Sequence, residues 1–76
     1  MDRYTYVKGK RVDLLKLHRT SILWYPSENL ATLIVNYRKL ATFKSIDTAY
    51  NIATELEKQA REYQFQHEIT KSSIEK

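Results

Sequence analysis

The feature that most constrains this chain is its single proline. Pro26 opens Pro26-Ser27-Glu28-Asn29, a polar turn between two β-rich stretches, Ser21-Ile22-Leu23-Trp24-Tyr25 and Ala31-Thr32-Leu33-Ile34-Val35-Asn36-Tyr37. Both stretches are rich in β-branched and aromatic residues, so the chain should reverse here into an antiparallel hairpin. With Tyr25 opposite Leu30, the register sets Trp24 by Ala31, Ile22 by Leu33, Thr20 by Val35 and His18 by Tyr37. One face then collects Ile22, Trp24, Ala31, Leu33, Val35, Tyr37, Ala41 and Phe43, the expected core face. The other collects Arg19, Ser21, Thr32, Asn36 and Arg38, with Leu23 and Ile34. A slip of one residue would exchange the two faces.

The second strong pattern follows Phe43. Ile46, Ala49, Ile52, Ala53, Leu56, Ala60 and Tyr63 recur at three- and four-residue steps, one apolar stripe of an amphipathic helix. Ser45 precedes it as an N-cap, and Asp47 suits the positive end of the helix dipole. The spacing predicts a helix from Ile46 to about Gln66, followed by a polar tail over 67–76. Upstream, Lys8-Gly9-Lys10 is a turn, and Tyr4-Thr5-Tyr6-Val7 fits a short additional strand. Residues 11–18 fit either a strand leading into the hairpin or a helical turn; the strand is preferred. The fold expected is α+β: a small antiparallel sheet of two to three strands packed by one C-terminal amphipathic helix, a single domain over 1–66.

At 76 residues without cysteine, such a domain has neither disulfides nor thiolate metal sites to hold it, so an apolar core must do so. Hydrophobic residues at 42% can supply that core. No apolar run approaches the roughly 20 residues of a membrane helix. The first residues, Met1 to Tyr6, lack the apolar core of a secretory signal, so the cytoplasm is the expected compartment.

Charge is unevenly spread. Residues 1–44 carry nine Lys/Arg against three acids, and 45–76 carry four against six. The positive half points to an anionic partner, nucleic acid first. Arg19 and Arg38 fall near each other in the expected register, with Asn36 on the same face. Arginine pairs with guanine and asparagine with adenine, and a β-ribbon fits the DNA major groove. Lys8, Lys10 and Arg11, in and beside the first turn, are placed to hold phosphates. These six residues are the expected nucleic-acid contacts.

Catalytic constellations are lacking. One glycine cannot build a phosphate-binding loop, and the two histidines, His18 and His67, have no metal-ligand spacing. No enzyme activity, cofactor, metal or small-molecule substrate is expected.

The stretch Lys39-Leu40-Ala41-Thr42-Phe43-Lys44-Ser45-Ile46-Asp47-Thr48-Ala49-Tyr50 resembles the last-strand-to-helix corner of small β-β-β-α DNA-binding modules. These are the arm-binding domains of phage and transposon integrases and the plant ethylene-response-type domains. Ala41, Thr42, Phe43, Asp47 and Ala49 carry the likeness, which covers residues 39–50. The glycine-bearing turn usual before the last strand is missing at Asn36-Tyr37-Arg38-Lys39, which leaves the strand free to run through to Phe43. The resemblance implies a DNA-binding or DNA-associated accessory protein of a phage or mobile element, reading DNA with a basic sheet face. The alternative is a protein-interaction module or small regulator acting through a sheet edge and its tyrosines, as a homodimer or with another protein.

Overall fold

The structure, a computed structural model, describes residues 2–75, with side chains from Asp2 to Glu68. The class is α+β as expected, but five strands form two antiparallel sheets where one sheet of two or three strands was anticipated. The first sheet pairs β1 (Tyr4–Val7) with β2 (Lys10–Asp13). The second contains β3 (Thr20–Tyr25), β4 (Leu30–Val35) and β5 (Arg38–Phe43), with β4 central. The helix α1 spans Ile46–Glu75.

The proline turn behaves as its sequence requires. The Glu28 and Asn29 N–H groups donate to the Tyr25 and Pro26 carbonyls, each at 3.2 Å, and Asn29 closes the loop at φ 52°. Asparagine tolerates this left-handed backbone better than most residues. The β3–β4 register is the anticipated one, from Tyr25 opposite Leu30 to Thr20 opposite Val35.

The strand expected to run through to Phe43 is broken. Asn36 (φ 52°) and Tyr37 (φ 68°) form a two-residue hairpin loop, with Val35 opposite Arg38. Positive φ at both central residues matches the right-handed twist of the flanking strands. This reversal sends Tyr37 out of the expected core to 81% exposure. It also moves Arg38 off the face that carries Arg19, because Arg38 now shares the face of its partner Val35. A bulge follows. Leu33 pairs with Ala41 and Ile34 with Lys39, leaving Leu40 as the extra residue, packed against the core.

Residues 11–18 are neither continuous strand nor helix. β2 stops at Asp13, Leu14 to Lys16 turn, and an irregular segment leads to Thr20. The Lys8–Gly9 turn (φ 50° and 79°) repeats the two-residue geometry, and here glycine supplies the left-handed residue without steric cost.

The core lies between the inner face of the three-stranded sheet and the helix. Ala31, Leu33 and Phe43 meet Ala49, Ala53, Leu56 and Ala60 on one helical stripe. Three alanines on that stripe let the helix approach the sheet closely. Val7, Val12, Leu14 and Leu17 extend the same core from the N-terminal hairpin. Fully burying Leu14 and Leu33 contributes about 2 kcal/mol each by transfer from water. At the helix start, the Ser45 hydroxyl accepts the Thr48 N–H at 3.4 Å, the anticipated cap. The helix does not stop at Gln66. It continues to Glu75, so most of the polar tail expected over 67–76 is helical, and its side chains beyond Glu68 lie outside the described residues. Among the described residues, no helix is long and apolar enough to cross a membrane.

Candidate nucleic-acid interface

The site is built by fastening the irregular segment after β2. Two amides do this from opposite sides. Asn36 Oδ1 accepts the His18 N–H at 2.8 Å and the Arg19 N–H at 3.2 Å, and its Nδ2 donates to the Lys16 carbonyl at 2.7 Å. From the helix, Gln64 Nε2 donates to the carbonyls of Leu14 (2.9 Å), Leu15 (3.3 Å) and Leu17 (2.9 Å). Buried loop carbonyls must find donors. These two side chains provide them.

Asp13 finishes the turn. Its carboxylate accepts both Nε and Nη2 of Arg3 at 2.9 Å, a bidentate pair, and the Leu15 N–H at 3.0 Å. The Arg3 hydrogen bond, aided by the Leu15 N–H, holds the Asp13 carboxyl below the usual carboxylate range against the opposing effect of desolvation. Asp13 is therefore neutralised from within. It is the only carboxylate ion-paired to a base among the described residues.

Fastened in this way, the segment and β2 face the start of β5 across an open groove of about 470 Å³. Its lining includes four cationic residues: Arg11 and Lys16 on one side, Arg38 on the other, and Lys39, which borders the groove while sharing the outer sheet face of its partner Ile34. Val12, Val35 and Leu40 supply apolar lining, and Asn36 and Asp13 complete it. None of the four cations has an ion-pair partner among the described residues. Like charges gathered in one concavity repel, and their summed field is relieved when an anion enters. A groove of this make-up can accommodate an anionic group.

Of the six contacts expected from sequence, the structure brings three to this groove, Arg11, Asn36 and Arg38. Arg11 also lies over the Tyr4 ring at 4.7 Å, with Arg3 over the same ring at 5.3 Å. Lys10 is exposed at the neighbouring turn. Arg19 is exposed and does not join Arg38; its guanidinium lies over the Tyr37 ring at 5.9 Å. Lys8 donates to the Thr42 carbonyl and covers Phe43 at 4.8 Å, tying the first turn to β5. Asn36 reaches the groove wall, but its amide is spent on the loop and is not free to read a base.

Sequence reasoning missed Lys16, Lys39 and Tyr37. Asparagine before an exposed aromatic was the available signal for a two-residue turn, since asparagine enters the left-handed region readily. Reading that turn would have reassigned Tyr37 and Arg38 together.

The outer face of the three-stranded sheet is open. It presents Ser21, Leu23 and Tyr25 from β3, with Leu23 at 42% and Tyr25 at 38% exposure. Thr32 and Ile34 lie opposite, followed by Thr42 and Lys39 on β5. No protein-family model, curated protein or solved structure shows a significant match to the chain.

Proposed function

We propose that this chain binds DNA, as an accessory module of a phage or mobile element, by seating backbone phosphates in the groove of Arg11, Lys16, Arg38 and Lys39. The observation that carries the reading is one groove lined by four cationic residues without an ion-pair partner among the described residues, with the nearby acid already neutralised by Arg3. Lys10 and Arg19 extend the positive surface on either side. Phosphate contacts fix position, and side chains on the outer sheet face are free to meet base edges. The consecutive order β3-β4-β5-α1 supports the same reading, since it is the order of the modules that residues 39–50 resemble.

Labelled duplex DNA titrated at two salt concentrations tests this. Neutralising four phosphates gives a log–log salt slope of about −3.6, a loss of roughly 150-fold between 50 and 200 mM salt. Arg38→Ala should reduce that slope by about 0.9, whereas Lys58→Ala on the helix should leave it unchanged. Absence of binding by micromolar protein at low salt would refute the proposal.

A second reading, a homodimeric interaction module, draws on one specific observation. The outer edge of β3 is unpaired, and Thr20–Tyr25 contains no charge, proline or bulge to guard it. Two copies could meet there strand to strand without like charges opposing, beside the exposed Ile46 and Tyr50. A concentration-dependent dimer in sedimentation, from protein indifferent to DNA, would favour this reading.

A further inference from the structure

Tyr37 occupies a position that neither backbone preference nor packing accounts for. It sits at φ 68°, the second residue of a two-residue hairpin loop, where glycine is the favoured occupant. A Cβ is disfavoured in that conformation. The ring is 81% exposed, the highest value among the large apolar side chains described, so burial does not compensate. The Arg19 guanidinium lies over the ring at 5.9 Å. The residues on either side, Asn36 and Arg38, both line the cationic groove. A strained, outward-pointing aromatic ring thus stands at the mouth of a phosphate seat. Strain retained in this way marks places where the side chain is needed for contact.

We infer that Tyr37, backed by Arg19, is a stacking platform for an unpaired nucleobase of the strand whose phosphates enter the groove. This rests on the DNA-binding reading and adds the kind of DNA preferred. In an intact duplex the base faces are covered by their neighbours, and a ring can stack only on a base that is unpaired or displaced. With Arg19 over one face of the Tyr37 ring, the other face is available. Stacking of this kind does not depend on which base is offered, so it gives a preference for structure over sequence.

The experiment compares a labelled paired duplex with the same duplex carrying one unpaired thymine, by anisotropy, for the full chain and for Tyr37→Gly and Tyr37→Phe. The parent should bind the unpaired-base duplex at least about 5-fold more tightly, the low end of base–aromatic stacking. Tyr37→Gly should lose that preference, keep its affinity and salt slope on paired duplex, and melt no lower than the parent. Tyr37→Phe should retain the preference, because the ring does the stacking. A parent without preference, or a glycine variant that keeps it, overturns the inference while leaving phosphate binding intact. A glycine variant that melts well below the parent makes Tyr37 a packing residue and also overturns it. Failure of the parent to bind either DNA removes the DNA-binding reading and this inference with it.

Discussion

Replacing Asn36 separates two contributions that the structure superimposes on one side chain. Its amide makes three hydrogen bonds to main-chain groups of residues 16–19, at 2.7, 2.8 and 3.2 Å, while its own backbone sits at φ 52°. Each bond contributes about 1 kcal/mol, but the freed N–H groups of His18 and Arg19 belong to exposed residues that water can reach, so the sum is discounted to about 2 kcal/mol. Asn36→Gly keeps the left-handed backbone and should cost that amount. Asn36→Ala loses the same bonds and must also carry a Cβ in a disfavoured conformation, adding about 1 kcal/mol. A domain of this size shifts by roughly 4–8 °C per kcal/mol, so the glycine variant should melt about 8–16 °C below the parent and the alanine variant lower still. Urea unfolding followed by the fluorescence of Trp24, which packs against the core, measures both differences directly. A glycine variant within about 0.5 kcal/mol of the parent would mean that the amide does not fasten the loop. An alanine variant more stable than the glycine one would refute the positive φ.

Two further outcomes follow from the same segment. Gln64→Ala should destabilise by about 1–2 kcal/mol in urea, because the loop carbonyls it serves lose their donor; Gln64→Glu should cost more at neutral pH, where a carboxylate would face three carbonyl oxygens. Asp13 is bound by Arg3, so its carboxyl takes up a proton less readily folded than unfolded. The stability it contributes is present above the ordinary value of 3.8 and is lost as pH falls below it. Melting temperatures across acid pH should therefore fall more steeply for the parent than for Asp13→Asn, and parallel curves would show that the pair does not act in this way.

The parts of the fold legible in the sequence are those set by local chemistry. One proline fixed the β3–β4 reversal, and alternation on either side fixed its register. The helix announced itself by Ser45, by Asp47 and by the stripe from Ile46 to Tyr63. Where local preference is violated, reading failed. Tyrosine at position 37 contradicts the residue statistics of a left-handed turn, so the turn was hidden and Tyr37 and Arg38 were assigned to the wrong faces, while Ala41 and Phe43, past the bulge, lie on the core face as expected. The groove was hidden for a different reason. It arises from the way a second hairpin docks, through Leu14 and Leu17 in the core and through a hydrogen bond from Gln64 to Leu14, fifty residues away. No local pattern encodes contacts at that separation. Residues 11–18 looked like strand or helix because Val12, Leu14, Lys16 and His18 step by two while Val12, Leu15 and Arg19, with Leu14 and His18, fit a helical turn, whereas Leu14 and Leu17 are simply plugs in the core.

The walls of the cationic groove come from different sheets, and among the described residues no main-chain hydrogen bond bridges the two sheets. What holds the walls at their spacing is a handful of leucine and valine side chains, the Lys8 ammonium and two amides. The three-stranded sheet and helix share an interior of Leu33, Phe43 and the helical alanines, to which the small hairpin and the segment after it add Val7, Val12, Leu14 and Leu17. Spacing between Arg11 and Arg38 is thus governed by how firmly one short two-stranded hairpin stays docked. Aperture and local folding equilibrium are in this molecule a single variable.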